Sequence, residues 1–326
     1  MRNEARYIER CLDALVAQTY PAERIQVLVI DGISTDASPA LVERYVRAHP
    51  NFQLLKNPQQ ITPVAFNIGI HHSRGEIIAI VSAHAVVDQD YFRRCIQTLG
   101  STDADCVGGV IETVGETWTA KAIALAQSSP FGVGSALFRY ATQPCYVDTL
   151  AFGAYPRAVF DRIGLFDEEL VRNQDDEFNF RLTQAGGKIW LDPQIKSIYF
   201  SRGTLRGLWK QYYEYGFWKV RVIQKHGRPA SLRHLVPALF VLALGGSALL
   251  SIVTQTLLWF LLIAVPYGLA AFAASVIAAR GQRNCLPLMP LVFATMHVAY
   301  GLGFMYGLAH FSSRKNYWRA ARRITK

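Results

Sequence analysis

The sequence predicts an α/β domain with a doubly wound, mostly parallel sheet, followed by an interfacial helix and a C-terminal α-helical transmembrane region. Three observations carry this reading. In the first 200 residues, short β-branched apolar runs alternate with stretches of helical periodicity. Two long uncharged runs follow, 45 residues from Leu235 to Ala279 and 27 from Cys285 to Phe311. Charge divides at the same place: residues 1–200 carry 18 Lys+Arg and 23 Asp+Glu, whereas residues 201–326 carry 16 and 1.

Taken in order, residues 4–20 place apolar side chains at helical spacing. Ile25 to Ile30 is a buried parallel strand ending at the polar Asp31-Gly32. Ser34-Thr35-Asp36 offers a cap for a helix from about Pro39 to Ala48. Phe52 to Lys56 is a strand, Val64 to His72 a helix, and Ile77 to Val81 a second buried strand. Ligands of such sheets bind beyond the carboxyl ends of the strands, which directs attention to Asp31 and to Ser82-Ala83-His84.

A bilayer core about 30 Å thick takes roughly 20 apolar residues per crossing. The 45-residue run is long enough for two helices and the 27-residue run for one, giving spans near 235–253, 256–279 and 286–311. The turn between the first two lies either near Ser251 to Gln255 or at Pro266-Tyr267-Gly268. Basic residues crowd 201–233, Arg280 and Arg283, and the tail 313–326, which places the first domain (1–200) on the cytoplasmic side of the inner membrane. Three crossings put the basic tail outside, against that rule; a re-entrant last run or four short crossings are the alternatives. The net charge of +10 thus belongs to membrane flanks, and no basic and aromatic stripe of the kind that binds nucleic acid is present. Cys11, Cys95, Cys106, Cys145 and Cys285 show no disulfide or zinc spacing.

Several motifs stand in one order: Val29-Ile30-Asp31-Gly32-Ile33-Ser34-Thr35-Asp36; Asn57-Pro58; Thr62-Pro63 through Asn67-Ile68-Gly69; Arg74-Gly75-Glu76; Ala83-His84-Ala85; Pro130-Phe131-Gly132-Val133-Gly134; and Phe166-Asp167-Glu168 leading to Asn173-Gln174-Asp175-Asp176-Glu177. Over residues 2–225 this resembles the family-2 glycosyltransferases of GT-A fold, and most of all the succinoglycan-type exopolysaccharide enzymes. The resemblance implies inverting transfer of one sugar from a nucleotide-sugar donor to a lipid-linked glycan acceptor at a membrane, within a set of polysaccharide-assembly partners. An acceptor hydroxyl is a poor nucleophile, so a carboxylate must take its proton. The leaving diphosphate needs its growing charge offset by a divalent cation, magnesium or manganese, or by basic groups.

Carried over by residue, the resemblance implies nucleotide-sugar contacts from Asp31, Gly32, Ser34, Asn67, Gly69, Ser82 and Ala83, and metal ligation by His84. It gives Asp175 as the general base, with Asp176 as the fallback. Gln211, Tyr215, Trp218 and Lys219 form the acceptor or membrane-interface set, on a helix lying in the lipid interface. Gln211 and Trp218 lack the Arg-Trp pair of processive relatives, which favours single-sugar addition. Small-residue loops at 131–134 and 149–154 are read either as backbone approaches to a sugar or as plain turns.

Two positions depart from the pattern. Ser82 stands where relatives carry an Asp, so the metal site lacks a carboxylate there, and Asp88 and Asp90 are the nearby compensators. Relatives also open with an apolar strand before Pro-x-x-Asn-Glu, whereas this chain begins at Met1-Arg2-Asn3-Glu4. The expectations are either a start codon upstream or a chain that is a fragment of a longer one, and an open edge on the Ile25–Ile30 strand. These departures favour, as the alternative function, a catalytically impaired GT-A-like subunit of a membrane polysaccharide assembly complex; a membrane carrier is disfavoured by the few crossings and their lack of Asp, Glu, Lys and Arg.

Overall fold

A computed structural model describes residues 1–312; the tail 313–326 lies outside the described residues. The chain forms two compact units, one of Met1–Val114 with Ala136–Phe200, the other of Gly115–Ser135 with the chain from Ser201 onward. Residues 115–135, read from sequence as part of a continuous 1–200 domain, therefore belong to the second unit.

The first unit opens with α1 (Ile8–Val16), which buries Ile8, Cys11 and Leu12 at helical spacing. The β-branched strand β1 (Val27–Asp31) connects through α2 (Ser38–Ala48) to β2 (Phe52–Lys56), and the two strands pair in parallel with Val27 opposite Phe52. Next come α3 (Thr62–His72), β3 (Ile77–Ala79), β4 (Ala85–Val87), α4 (Tyr91–Ser101) and β5 (Cys106–Val114). The chain then passes through α5 (Trp118–Gln127) and α6 (Pro130–Val133) of the second unit. It returns for β6 (Cys145–Val147), β7 (Ala154–Pro156), α7 (Arg157–Ile163), α8 (Gln174–Gln184) and β8 (Ile189–Phe200).

These strands make a second sheet in the order β3-β7-β5-β8-β4, with β6 also on β8. Only β5 and β8 pair in parallel within it; the other neighbours are antiparallel. The sheet is thus more mixed than the early βα alternation implies, because β4 follows β3 and β7 follows β6 by short connections rather than by helical crossovers. On its side away from β2, β1 has no strand partner among the described residues. There the Met1 amino group donates to the Ile30 carbonyl at 2.6 Å, and the Gly32 N–H donates to the Met1 carbonyl at 2.8 Å.

In the second unit, α9 (Leu205–His226) precedes α10 (Val236–Val253), α11 (Leu258–Ala278) and α12 (Met289–Ser312). The last three are long and apolar enough to cross a membrane. The first turn between them falls at residues 254–257, so Pro266 lies inside α11 and α12 is one unbroken helix. Helix α9 packs along α12 where Gly216 meets the Tyr300 carbonyl and Gly303 meets the Tyr213 carbonyl; a Cβ at either would collide with backbone. His297 ties α11, α12 and the 130–134 turn together. Its Nε2 donates to the Phe131 carbonyl at 2.9 Å, which leaves Nδ1 to accept the Tyr267 hydroxyl at 2.9 Å.

Candidate active site

β1 delivers the first site residue. Asp31 is buried at its carboxyl end and accepts from the Ser34 hydroxyl at 2.6 Å and the Ser34 N–H at 3.2 Å. The Ser34 oxygen in turn accepts the Asn3 N–H at 2.9 Å, and Asn3 Oδ1 accepts the Thr35 N–H at 2.8 Å. The turn Gly32-Ile33-Ser34 is therefore clamped from both sides. Ile33 sits in it at φ 57°, a left-handed conformation that a β-branched residue rarely adopts. Because that conformation costs an L-residue roughly 1–2 kcal/mol, Ile33→Asn is expected to raise stability by about 1 kcal/mol, read as a higher Tm of the detergent-solubilised chain.

The second element is the loop between β3 and β4, which holds Ser82, Ala83 and His84. His84 Nδ1 lies 3.1 Å from Glu4 Oε1, and Ser82 Oγ lies 3.3 Å from the imidazole. Ala83 packs onto the core of α1, β1, β2 and α2. The carboxylate that reaches His84 is Glu4 rather than Asp88 or Asp90. Those two are engaged at the start of α4: Asp90 accepts the Thr19 hydroxyl at 2.6 Å and pairs with Arg93 at 2.7 Å, and Asp88 accepts the Asp90 N–H. Glu4 is absent from the residues expected at the site, although Asn3-Glu4 matches the family's Asn-Glu; its contact with His84 is what brings it there.

Among the described residues no group of three or more His, Cys, Asp or Glu forms a metal cage. One carboxylate and one imidazole nevertheless suit a hard cation that takes its remaining ligands from substrate phosphates and water. Glu4 and His84 are the residues that would hold it, and a bound cation would neutralise diphosphate charge.

The third element is α8. Asp175, Asp176 and Glu177 occupy its first turn, complementing the helix dipole, behind Asn173 at φ 61°. They are not alike. Glu177 is buried and pairs through both oxygens with Arg181 at 3.1 Å, while Arg181 also donates to the Ile163 and Leu165 carbonyls. Asp175 and Asp176 are half-buried, and one Asp175 oxygen accepts the Asp176 N–H at 2.9 Å. Burial first, with Cys106 and then the Asp175 charge adding to it, holds the Tyr155 phenol well above its usual range. Tyr155 is opposite Ile78 on β3, the strand that leads to Ser82.

Other predicted residues make contacts within the protein. Asn67 is buried in mid-helix; its amide donates to the Phe166 carbonyl and Glu168 Oε1, both at 2.9 Å, and its oxygen accepts the Phe166 N–H at 3.0 Å. It anchors the chain leading into α8, where the family pattern implied a nucleotide contact. Gly69, in the same helix, packs on Ile30. A Cβ at Gly153 would meet Cys106 and the Tyr155 hydroxyl, and one at Gly132 would meet the Ala126 carbonyl, so internal packing accounts for both small-residue loops. On α9, Gln211 donates to the Tyr215 hydroxyl at 2.9 Å, Trp218 stands edge-on to Phe217, and Lys219 is buried.

Residues 1–164 match the family model described as Glycosyl transferase family 2. The succinoglycan biosynthesis protein ExoA of Rhizobium meliloti is 30% identical over 318 residues, 96% of this chain and 94% of that protein. The dolichyl N-acetyl-alpha-D-glucosaminyl phosphate 3-beta-D-2,3-diacetamido-2,3-dideoxy-beta-D-glucuronosyltransferase of Methanococcus voltae is 31% identical over 231 residues, 68% of this chain and 72% of that protein. Among solved structures, the mannosyltransferase PcManGT from Pyrobaculum calidifontis, in complex with GDP-Man and Mn2+, matches with a TM-score of 0.59 at 19% identity, covering 94% of this chain and 85% of that one. That likeness shows the GT-A fold. With the family model across half the chain and a relative matched along nearly all of it, this chain belongs to glycosyltransferase family 2.

Proposed function

We propose that this glycosyltransferase moves one sugar, with inversion, from a nucleotide-sugar donor to a lipid-linked glycan acceptor in exopolysaccharide or cell-surface polysaccharide biosynthesis. Helices α10 to α12 cross the inner membrane, and the first unit works on its cytoplasmic side. The observation that carries the reading is the coupling in one chain of a unit holding Asp31, His84 and Asp175 to three helices of membrane-crossing length. The names of two relatives, a succinoglycan biosynthesis protein and a transferase acting on a dolichyl-linked sugar phosphate, point the same way.

In this reading Asp31 and the turn through Gly32 and Ser34 receive the nucleoside. Ser82, Ala83 and His84, with Glu4, face the diphosphate, and Asp175 takes the acceptor's proton. Gln211, Tyr215, Trp218 and Lys219 serve the acceptor on the membrane side. Ser82 alone would favour the impaired-subunit reading, but Glu4 returns a carboxylate to His84.

The test incubates membranes carrying the full chain with labelled UDP-, GDP- and TDP-sugars, with and without manganese, and follows label into organic-extractable lipid. One donor is expected to give labelled lipid, and no transfer from any donor would overturn the reading. Glu4→Gln is expected to raise the manganese concentration for half-maximal rate by roughly 10- to 100-fold, the scale of a lost metal-site partner.

A further inference from the structure

Arg139 has no part in the motifs above, yet it stands beside them. It ends a short helical turn, Leu137–Arg139, where the chain re-enters the first unit. Its Nη1 donates to Thr113 Oγ1 at 2.8 Å, and its guanidinium carbon lies 5.3 Å from the Tyr199 ring centroid. Thr113 and Tyr199 are in register across β5 and β8, and Tyr199 is in register with Ala85 on β4, the residue after His84. The His84 ring packs edge-on against that same tyrosine, with centroids 5.2 Å apart. One ring is therefore touched by Arg139 and by His84.

The charge is as telling as the position. Arg94, Arg162 and Arg181 each pair with a carboxylate, and Arg157 donates to the Ser73 and Gly75 carbonyls. Half-buried Arg139, among the described residues, has only a hydroxyl and two aromatic faces as partners. A guanidinium stays protonated, and its planar fork matches phosphate oxygens. Removing such a charge from water without a counter-anion is costly, so the site gains most when an anion arrives. Ser82 contributes no negative charge to compete.

We infer that Arg139 is a catalytic residue that binds the donor's diphosphate and offsets the charge it gains on leaving. The inference rests on the nucleotide-sugar reading. In the transfer step the acceptor oxygen bonds to the anomeric carbon while its proton passes to Asp175. The bond from that carbon to the diphosphate breaks, and its electron pair stays on the phosphate oxygen, where Arg139 stabilises it.

The experiment titrates the purified full chain in detergent with UDP, GDP and TDP and with the matching monophosphates, with and without manganese. Wild type is expected to prefer one diphosphate to its monophosphate. Arg139→Met should weaken the diphosphate by roughly 10- to 100-fold, the scale of a charge-assisted pair, while the monophosphate changes little. Arg139→Lys should retain part of the preference, and Thr113→Val most of it. A ratio of two affinities does not depend on how much of a sample is folded, so a destabilised variant still reports. An unchanged ratio in Arg139→Met would make Arg139 a structural rivet and sink the inference, leaving the nucleotide-sugar reading intact. Absence of diphosphate binding in wild type would instead remove that reading.

Discussion

Asp175→Asn is expected to lower kcat by roughly 10²–10⁴-fold, the range that a positioned general base contributes. The amide keeps the shape of the carboxylate and can still accept the Asp176 N–H, so fold and donor KM should stay near wild type. Loss in kcat with unchanged KM marks an interaction made in the transition state. Asp176→Asn is the internal control. Its carboxylate is the neighbouring candidate, and a larger loss there would move the base by one residue. Glu177 is not a third candidate, because Arg181 holds both its oxygens inside the protein.

Phe178→Ala is expected to cost roughly 3–5 kcal/mol of stability, the usual penalty for emptying a buried phenylalanine site. Phe178 is fully buried on the helix that carries Asp175. It stacks on Phe166 with centroids 4.3 Å apart and on Phe160 at 5.2 Å, meets Tyr155 edge-on at 5.4 Å, and lies beneath the Arg181 guanidinium. The cavity would open between α8 and the segment that Asn67 anchors. Chemical denaturation of the solubilised chain measures the loss, and Phe178→Leu, which refills part of the volume, should recover a good fraction of it.

How far the sequence could be read depended on the range of each interaction. β1 was legible because a β-branched run ends at Asp31, and both facts are local. The C-terminal helices were legible because length and missing charge suffice to find them. The Glu4–His84 pair was not, since 80 positions separate its members and only the folded sheet brings them together. Asn67 carries a family motif, yet its side chain reaches 99 positions along the chain to Phe166, a structural role that no local pattern announces. The loop glycines had two local explanations, and tertiary neighbours account for Gly132 and Gly153 through packing. Likewise α5 reads as any apolar helix, so nothing local assigned it to the second unit. Gln211 and Lys219 read from composition as part of an interfacial helix, but on α9 both are buried.

The roles proposed for the site residues all depend on a single displacement at the anomeric carbon, with the acceptor oxygen as nucleophile and Asp175 as the only base. Such a backside step inverts configuration, whereas retention requires either two successive displacements or attack on the face that the diphosphate leaves. The direct measurement is the anomeric proton coupling, by NMR, of the product that the wild-type chain forms from the donor it accepts. A single displacement predicts the configuration opposite to that of the donor sugar; the same configuration would contradict it and remove Asp175 from the role of general base.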